Sequence, residues 1–227
     1  HQGGDEMLSI SLNPIDQREA LRYMGCPEAP DDTLRAVMER CEAQLRKTVH
    51  PGVVFRVLPL CREDGTLSAG GLALTGEDIA KLLENCDRVL LMAATLSGAA
   101  DQLIHRAGVS DMTSSLAMDA LASAAIEQVC NRAEEHFRER LPDVYFTWRY
   151  SPGYGDLPLS LQPQMLQLLD AQKHLGLTVT PEHILIPRKS VTALIGLSAH
   201  PLKKGARGCA TCRMRETCAF RKGGAHC

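Results

Sequence analysis

A chain of 227 residues with 44% hydrophobic and 23% charged side chains holds one large domain or two small ones, and it is too apolar for wholesale disorder. The net charge of −2, from 25 basic and 27 acidic groups, excludes a polyanion binder built on overall charge. The longest apolar run, Val89-Leu90-Leu91-Met92-Ala93-Ala94, falls far short of the roughly 20 residues that cross a bilayer.

The opening His1-Gln2-Gly3-Gly4 reads as extraneous to the natural chain, with Met7 a candidate start. No basic-then-apolar leader is visible, so the expected location is cytoplasmic. From there, residues 15–24 follow Pro14 and predict a short helix stopped by Gly25. Residues 31–48 predict a second helix, with Leu34, Val37, Met38, Cys41 and Leu45 on one stripe. Residues 53–58 read as a strand, and Thr75 as the cap of a helix over 79–85. Residues 88–95 form a buried strand, and Ser97 opens a helix to Arg106.

The longest predicted element is a helix from Met112 to Arg140, ended by Pro142. Its middle is rich in alanine (Ala117, Ala120, Ala122, Ala124, Ala125), which lets it lie close against a sheet or another helix. Residues 144–150 then alternate as a strand, with Val144, Phe146, Trp148 and Tyr150 on one face and Arg149 on the other. A helix around 163–174 stopped by Gly176, and strands at 183–186 and 191–197, complete the pattern. Helices and strands in mixed order, without a glycine-rich nucleotide fingerprint, favour α+β over a doubly wound sheet.

Chemistry concentrates at Tyr145–Tyr154, which holds the single tryptophan and three of the four tyrosines. Pro152-Gly153 suits the centre of a type II turn, because glycine accepts the positive φ required there. Gly153 and Gly155 leave the backbone bare for a ligand, and Arg149 can make a forked contact with a carboxylate. The same pattern also fits a hairpin of packed aromatics with a solvated arginine.

Arg149-Tyr150-Ser151-Pro152-Gly153-Tyr154 resembles the R-x-x-x-G-Y signature of the activation (reactivation) domain of cobalamin-dependent methionine synthase. Leu21-Arg22-Tyr23-Met24-Gly25, Leu91-Met92-Ala93-Ala94-Thr95-Leu96 and Ile186-Pro187-Arg188-Lys189-Ser190-Val191-Thr192-Ala193 are similar to segments of the same family, above all its stand-alone members. The resemblance implies a mixed, mainly antiparallel twisted sheet with flanking helices and one long helix, over residues 7–200. It implies that Arg149 binds the methionine carboxylate of S-adenosylmethionine, that the backbone at Ser151 and Gly153 meets its adenine or ribose, and that Tyr154 lines the pocket. An acid on the long helix, Glu127 or in its place Asp119, would receive the ligand's ammonium. The chain departs from the fused synthases at Gly155, where they carry proline, and at Leu194-Ile195-Gly196, where they place aromatics.

The functional expectation is a protein acting in trans on a separate cobalamin-binding methyltransferase, supporting reductive methylation of inert cob(II)alamin. Because cobalt attacks the sulfonium methyl, the chain needs no nucleophile or general base of its own; it positions the ligand. No catalytic residue is therefore expected. Asp101-x3-His105-x2-Gly108 superficially resembles a cobalt-ligating loop, but its spacing is off by two residues, and His105 is read as an ordinary helix residue.

Of nine cysteines, Cys26, Cys41, Cys61, Cys86 and Cys130 are scattered singly, as free cysteine is when it packs as a small hydrophobe. The other four, Cys209, Cys212, Cys218 and Cys227, crowd a 201–227 tail whose stretch 203–222 carries +6, leaving the rest near −8. A metal site held by all four thiolates is expected there. The uneven spacing suits an iron–sulfur cluster better than zinc, which favours paired C-x2-C knuckles. The tail arginines could dock a flavodoxin- or ferredoxin-type electron donor or the corrinoid protein. Two alternatives remain open: an iron–sulfur electron-transfer adaptor for a corrinoid protein, and a zinc-dependent nucleic-acid binder, against which the missing second C-x2-C pair counts.

Overall fold

The computed structural model describes residues 6–26, 28–63 and 65–202. In chain order these are β1 (Glu6–Ser9), α1 (Gln17–Tyr23), α2 (Asp32–Thr48), β2 (Gly52–Pro59), β3 (Cys61–Glu63), β4 (Thr66–Ala69), β5 (Leu72–Ala73), α3 (Glu77–Leu82) and β6 (Arg88–Thr95). Then follow α4 (Gly98–Ser110), α5 (Met112–Arg140), β7 (Tyr145–Phe146), a 3-10 turn (Leu159–Leu161), α6 (Gln162–Leu168), α7 (Ala171–Leu175), β8 (Thr178–Val179), β9 (Leu185–Ile186) and β10 (Ser190–Ser198).

Three of the helices, α1, α2 and α5, start where an aspartate side chain satisfies free N–H groups. Asp16 accepts from Arg18 and Glu19, Asp31 from Leu34, and Asp111 from Ser114. Helix α3 differs from expectation. Its N-cap position is Gly76 rather than Thr75, and the cap comes from Asp156, whose carboxylate accepts from the N–H of Glu77 (2.6 Å) and of Asp78 (3.2 Å). The helix expected over 163–174 is two helices, because Asp170 takes a left-handed conformation between them; Gly176, also left-handed, ends the second.

Five strands form the main sheet in the order β1-β2-β6-β10-β7, and every pairing is antiparallel. The α+β expectation with a mainly antiparallel sheet is thus met. Strand β6, almost wholly buried, runs down the centre between β2 and β10, as its continuous apolar sequence requires. The sheet has two cores because alternate residues point to opposite faces. On one face Phe55, Leu90, Met92, Ala193 and Ile195 pack with α1, α2, α4 and α5. On the other, Val54, Leu91, Ala93 and Leu194 pack with Ile79 and Leu83 around α3 and with Met165 and Leu166 of α6.

Helix α5 crosses the first face with Ala117, Ala120, Ala122, Ala124 and Ala125 turned inward, and all are buried. Phe137, near its C-terminal end, meets Phe55 at 4.5 Å between ring centroids. Of the scattered cysteines, Cys41, Cys86 and Cys130 are buried while Cys26 and Cys61 are exposed. Among the described residues no helix is long and apolar enough to cross a membrane.

The segment 145–150 corrects the simple alternation. Phe146 is opposite Leu197, yet Tyr150 is opposite Leu194. Four steps along this edge strand therefore match three along β10, which is a β-bulge. Thr147 fills it: its N–H donates to the Gly196 carbonyl (2.9 Å), and its hydroxyl accepts from the Gly196 N–H (2.8 Å). The bulge reverses the facing of the strand partway along. Val144 and Phe146 pack with the helical core, whereas Trp148 and Tyr150 pack with the opposite one.

Candidate functional site

The bulge decides where Arg149 goes. With Tyr150 committed to the second core, its neighbour Arg149 points to the α5 face at the sheet edge. There α5 presents a polar stripe, Asp119, Ser123, Glu127, Asn131 and Glu134, at spacings of three and four that keep one side of a helix in line. Arg149 is 17% exposed and spans the C-terminal half of that stripe. Its Nη2 donates to Glu127 Oε2 at 2.9 Å, and its Nη1 donates to Glu134 Oε1 at 2.5 Å and to Asn131 Oδ1 at 3.2 Å. The solvated arginine of the simpler reading is not what the fold builds.

The two acids differ. Glu134 is 16% exposed and also faces Arg138 at 3.6 Å, whereas Glu127 is 42% exposed on the solvent side. Tyr23, at the end of α1, lies near Glu127; burial, then the Glu127 charge, pushes its phenol above the usual range. Beneath the cluster, burial pushes the Cys130 thiol up to about 12, with Glu127 and Glu134 adding and Arg149 opposing. Cys130 therefore stays a neutral packing residue.

Asp119 is placed elsewhere. It pairs with Lys189 Nζ at 2.9 Å, and the same ammonium donates to Ser123 Oγ at 2.9 Å. Eight residues separate it from Glu127, about 12 Å along the helix axis. It borders an open groove of about 500 Å³ shared with Asp101, His105 and Arg188. Of the two acids proposed for the ligand's ammonium, Glu127 is the one beside Arg149.

After Arg149 the chain turns as its Pro-Gly pair predicts: the Tyr154 N–H donates to the Ser151 carbonyl at 3.1 Å, and Gly153 sits at φ +86°. The loop is tied by Gly153 N–H to the Leu157 carbonyl (2.8 Å) and by Asp156 on the start of α3. Tyr154 stands edge-on to Trp148 (5.8 Å) and to Tyr150 (5.2 Å). Ser151, Gly153 and Tyr154 thus follow Arg149 around the end of the edge strand, with the aromatic wall on the sheet face opposite α5. Gly155 has its own local reason. At φ +55°, a Cβ there would fall on the Tyr150 hydroxyl and lie 2.9 Å from Asp78 Oδ2, and proline cannot take that φ at all.

Sequence reasoning missed Asn131 and Glu134. The signal was present, since both lie one and two turns beyond Glu127 on the same helix face. Cys209, Cys212, Cys218 and Cys227 lie outside the described residues, and among the described residues no group of His, Cys, Asp and Glu is arranged to hold a metal ion.

These features define an α+β domain built on a five-stranded antiparallel sheet, with an arginine–carboxylate cluster between its edge strand and a long helix. A solved structure of the MetH reactivation domain bound to AdoHcy has this fold, with a TM-score of 0.69 over 91% of this chain and 81% of that one, at 18% sequence identity. No family model matches the sequence. No curated protein matches it either.

Proposed function

We propose that this chain binds S-adenosylmethionine at the Arg149 edge and supports reductive methylation of cob(II)alamin on a separate cobalamin-binding methyltransferase. The observation that carries the reading is the Arg149–Glu127 pair at 2.9 Å, one cation and one exposed anion side by side on the edge strand and long helix. An amino-acid end carries the complementary pair of charges, and a planar guanidinium grips a carboxylate through two parallel N–H groups. Ser151, Gly153 and Tyr154 would receive the nucleoside. That the solved MetH reactivation domain was bound to AdoHcy supports the same class of ligand.

The chemistry asks little of the protein. One electron from a low-potential donor first takes cob(II) to cob(I). The methyl then leaves sulfur with the old bonding pair staying on sulfur, cob(I) supplies the pair of the new bond, and the chain's work is to hold the sulfonium in line. The corrin is carried by the partner. The tail Cys209, Cys212, Cys218 and Cys227 is proposed on spacing alone to hold an iron–sulfur cluster, or zinc; metal analysis of the purified chain separates the two.

The test is methyl transfer. A cobalamin protein in its cob(II) form, given a low-potential reductant and methyl-labelled S-adenosylmethionine, should gain label on cobalt only when this chain is added. Equal labelling with and without it would end the proposal.

A further inference from the structure

The Arg149 fork is already occupied, and its two acidic partners are not equivalent. Glu134 is the inner one, 16% exposed, held between Arg149 and Arg138. Removing Arg149 from it would leave a nearly buried carboxylate with Arg138, at 3.6 Å, as its charge partner among the described residues, which is costly. Glu127 is the outer one, 42% exposed, and on leaving Arg149 it would be hydrated at little cost. A ligand carboxylate arriving at the guanidinium therefore has one inexpensive exchange open to it, the Nη2 contact with Glu127.

We propose that Glu134 is a positioning residue that fixes Arg149 at the sheet edge, and that Glu127 is the partner a ligand displaces, making a free amino-acid end the feature the site selects. This rests on the adenosyl-ligand reading above. Asn131 Oδ1, 3.2 Å from Nη1, completes the fixed side of the fork. The exchange conserves charge. The ligand carboxylate takes the place of Glu127 on Nη2, and the freed Glu127 faces the ligand ammonium, so no unpaired charge is created.

Calorimetry on the full chain with AdoHcy and with 5′-methylthioadenosine, which lacks the amino-acid end, tests this. The wild type should bind AdoHcy at least about tenfold tighter than the truncated nucleoside. In Glu134→Gln, AdoHcy should weaken about tenfold while 5′-methylthioadenosine is unchanged, because only the first uses Arg149. If Glu134→Gln does not fold, Glu134→Asp takes its place with the same selective loss expected. A variant that loses both nucleosides equally, or binds AdoHcy more tightly, overturns the positioning role while leaving the ligand reading intact. A wild type that binds neither nucleoside refutes the ligand reading and this inference together.

Discussion

Arg149→Ala is expected to lower the stability of the ligand-free protein by about 2–3 kcal/mol and to weaken AdoHcy binding at least tenfold. The first effect follows from what the side chain leaves behind. Glu127, Glu134 and Asn131 all turn toward the guanidinium, so its removal leaves two carboxylates without their shared cation, Glu134 keeping Arg138 at 3.6 Å. Breaking a buried pair from one side costs more than the pair contributes, because a charge stays buried without compensation; partial exposure here moderates the cost. The second effect follows from losing the forked donor placed at the end of the edge strand. Arg149→Lys separates the two, since an ammonium restores a positive charge but cannot span Glu127 and Glu134 as a planar fork. It should recover much of the stability and little of the binding. Urea unfolding and calorimetry read both, and an Arg149→Ala protein with wild-type stability would show that the cluster is not coupled as the geometry indicates.

The second large effect concerns α5. Ala125 is fully buried against the helical core beneath the sheet. Ala125→Leu inserts three carbons into a fully buried position, forcing side chains off their rotamers or the helix away from the sheet, at about 1–3 kcal/mol. Because Glu127 and Glu134 ride on the same helix, that displacement should also loosen the grip on Arg149. An unchanged melting temperature would mean that α5 does not lie on the sheet in the manner described.

The parts of the fold that the sequence revealed are those with long, uninterrupted patterns. Strand β6 is apolar from Val89 to Ala94 because both faces of it are covered, and α5 buries residues at helical spacing from Ser114 to Phe137. What stayed hidden depends on distant partners. The β-bulge is a mismatch of register between residues 146–150 and β10, and nothing in the edge strand alone records it. The α3 cap comes from Asp156, 79 residues away, so Thr75 was the natural but wrong choice. Strands β1, β3, β4 and β5, of two to four residues, are too short to show a period. Within the site, Arg149 and the Pro-Gly turn were legible from residue types in a compact motif, whereas Glu127, with Asp119 as its alternative, followed only from the resemblance. Glu134 was legible only by asking which other residues share the Glu127 face, and its burial, which sets it apart from Glu127, required the fold.

The proposed role of the Arg149 edge is to bind an adenosyl amino acid. Calorimetry of the wild-type chain with AdoHcy, set against adenosine alone, tests it most directly. The expected result is saturable one-to-one binding of AdoHcy, with adenosine at least tenfold weaker because it cannot engage Arg149. No heat and no thermal stabilisation with AdoHcy at millimolar concentration, or equal affinity for the two, would contradict it.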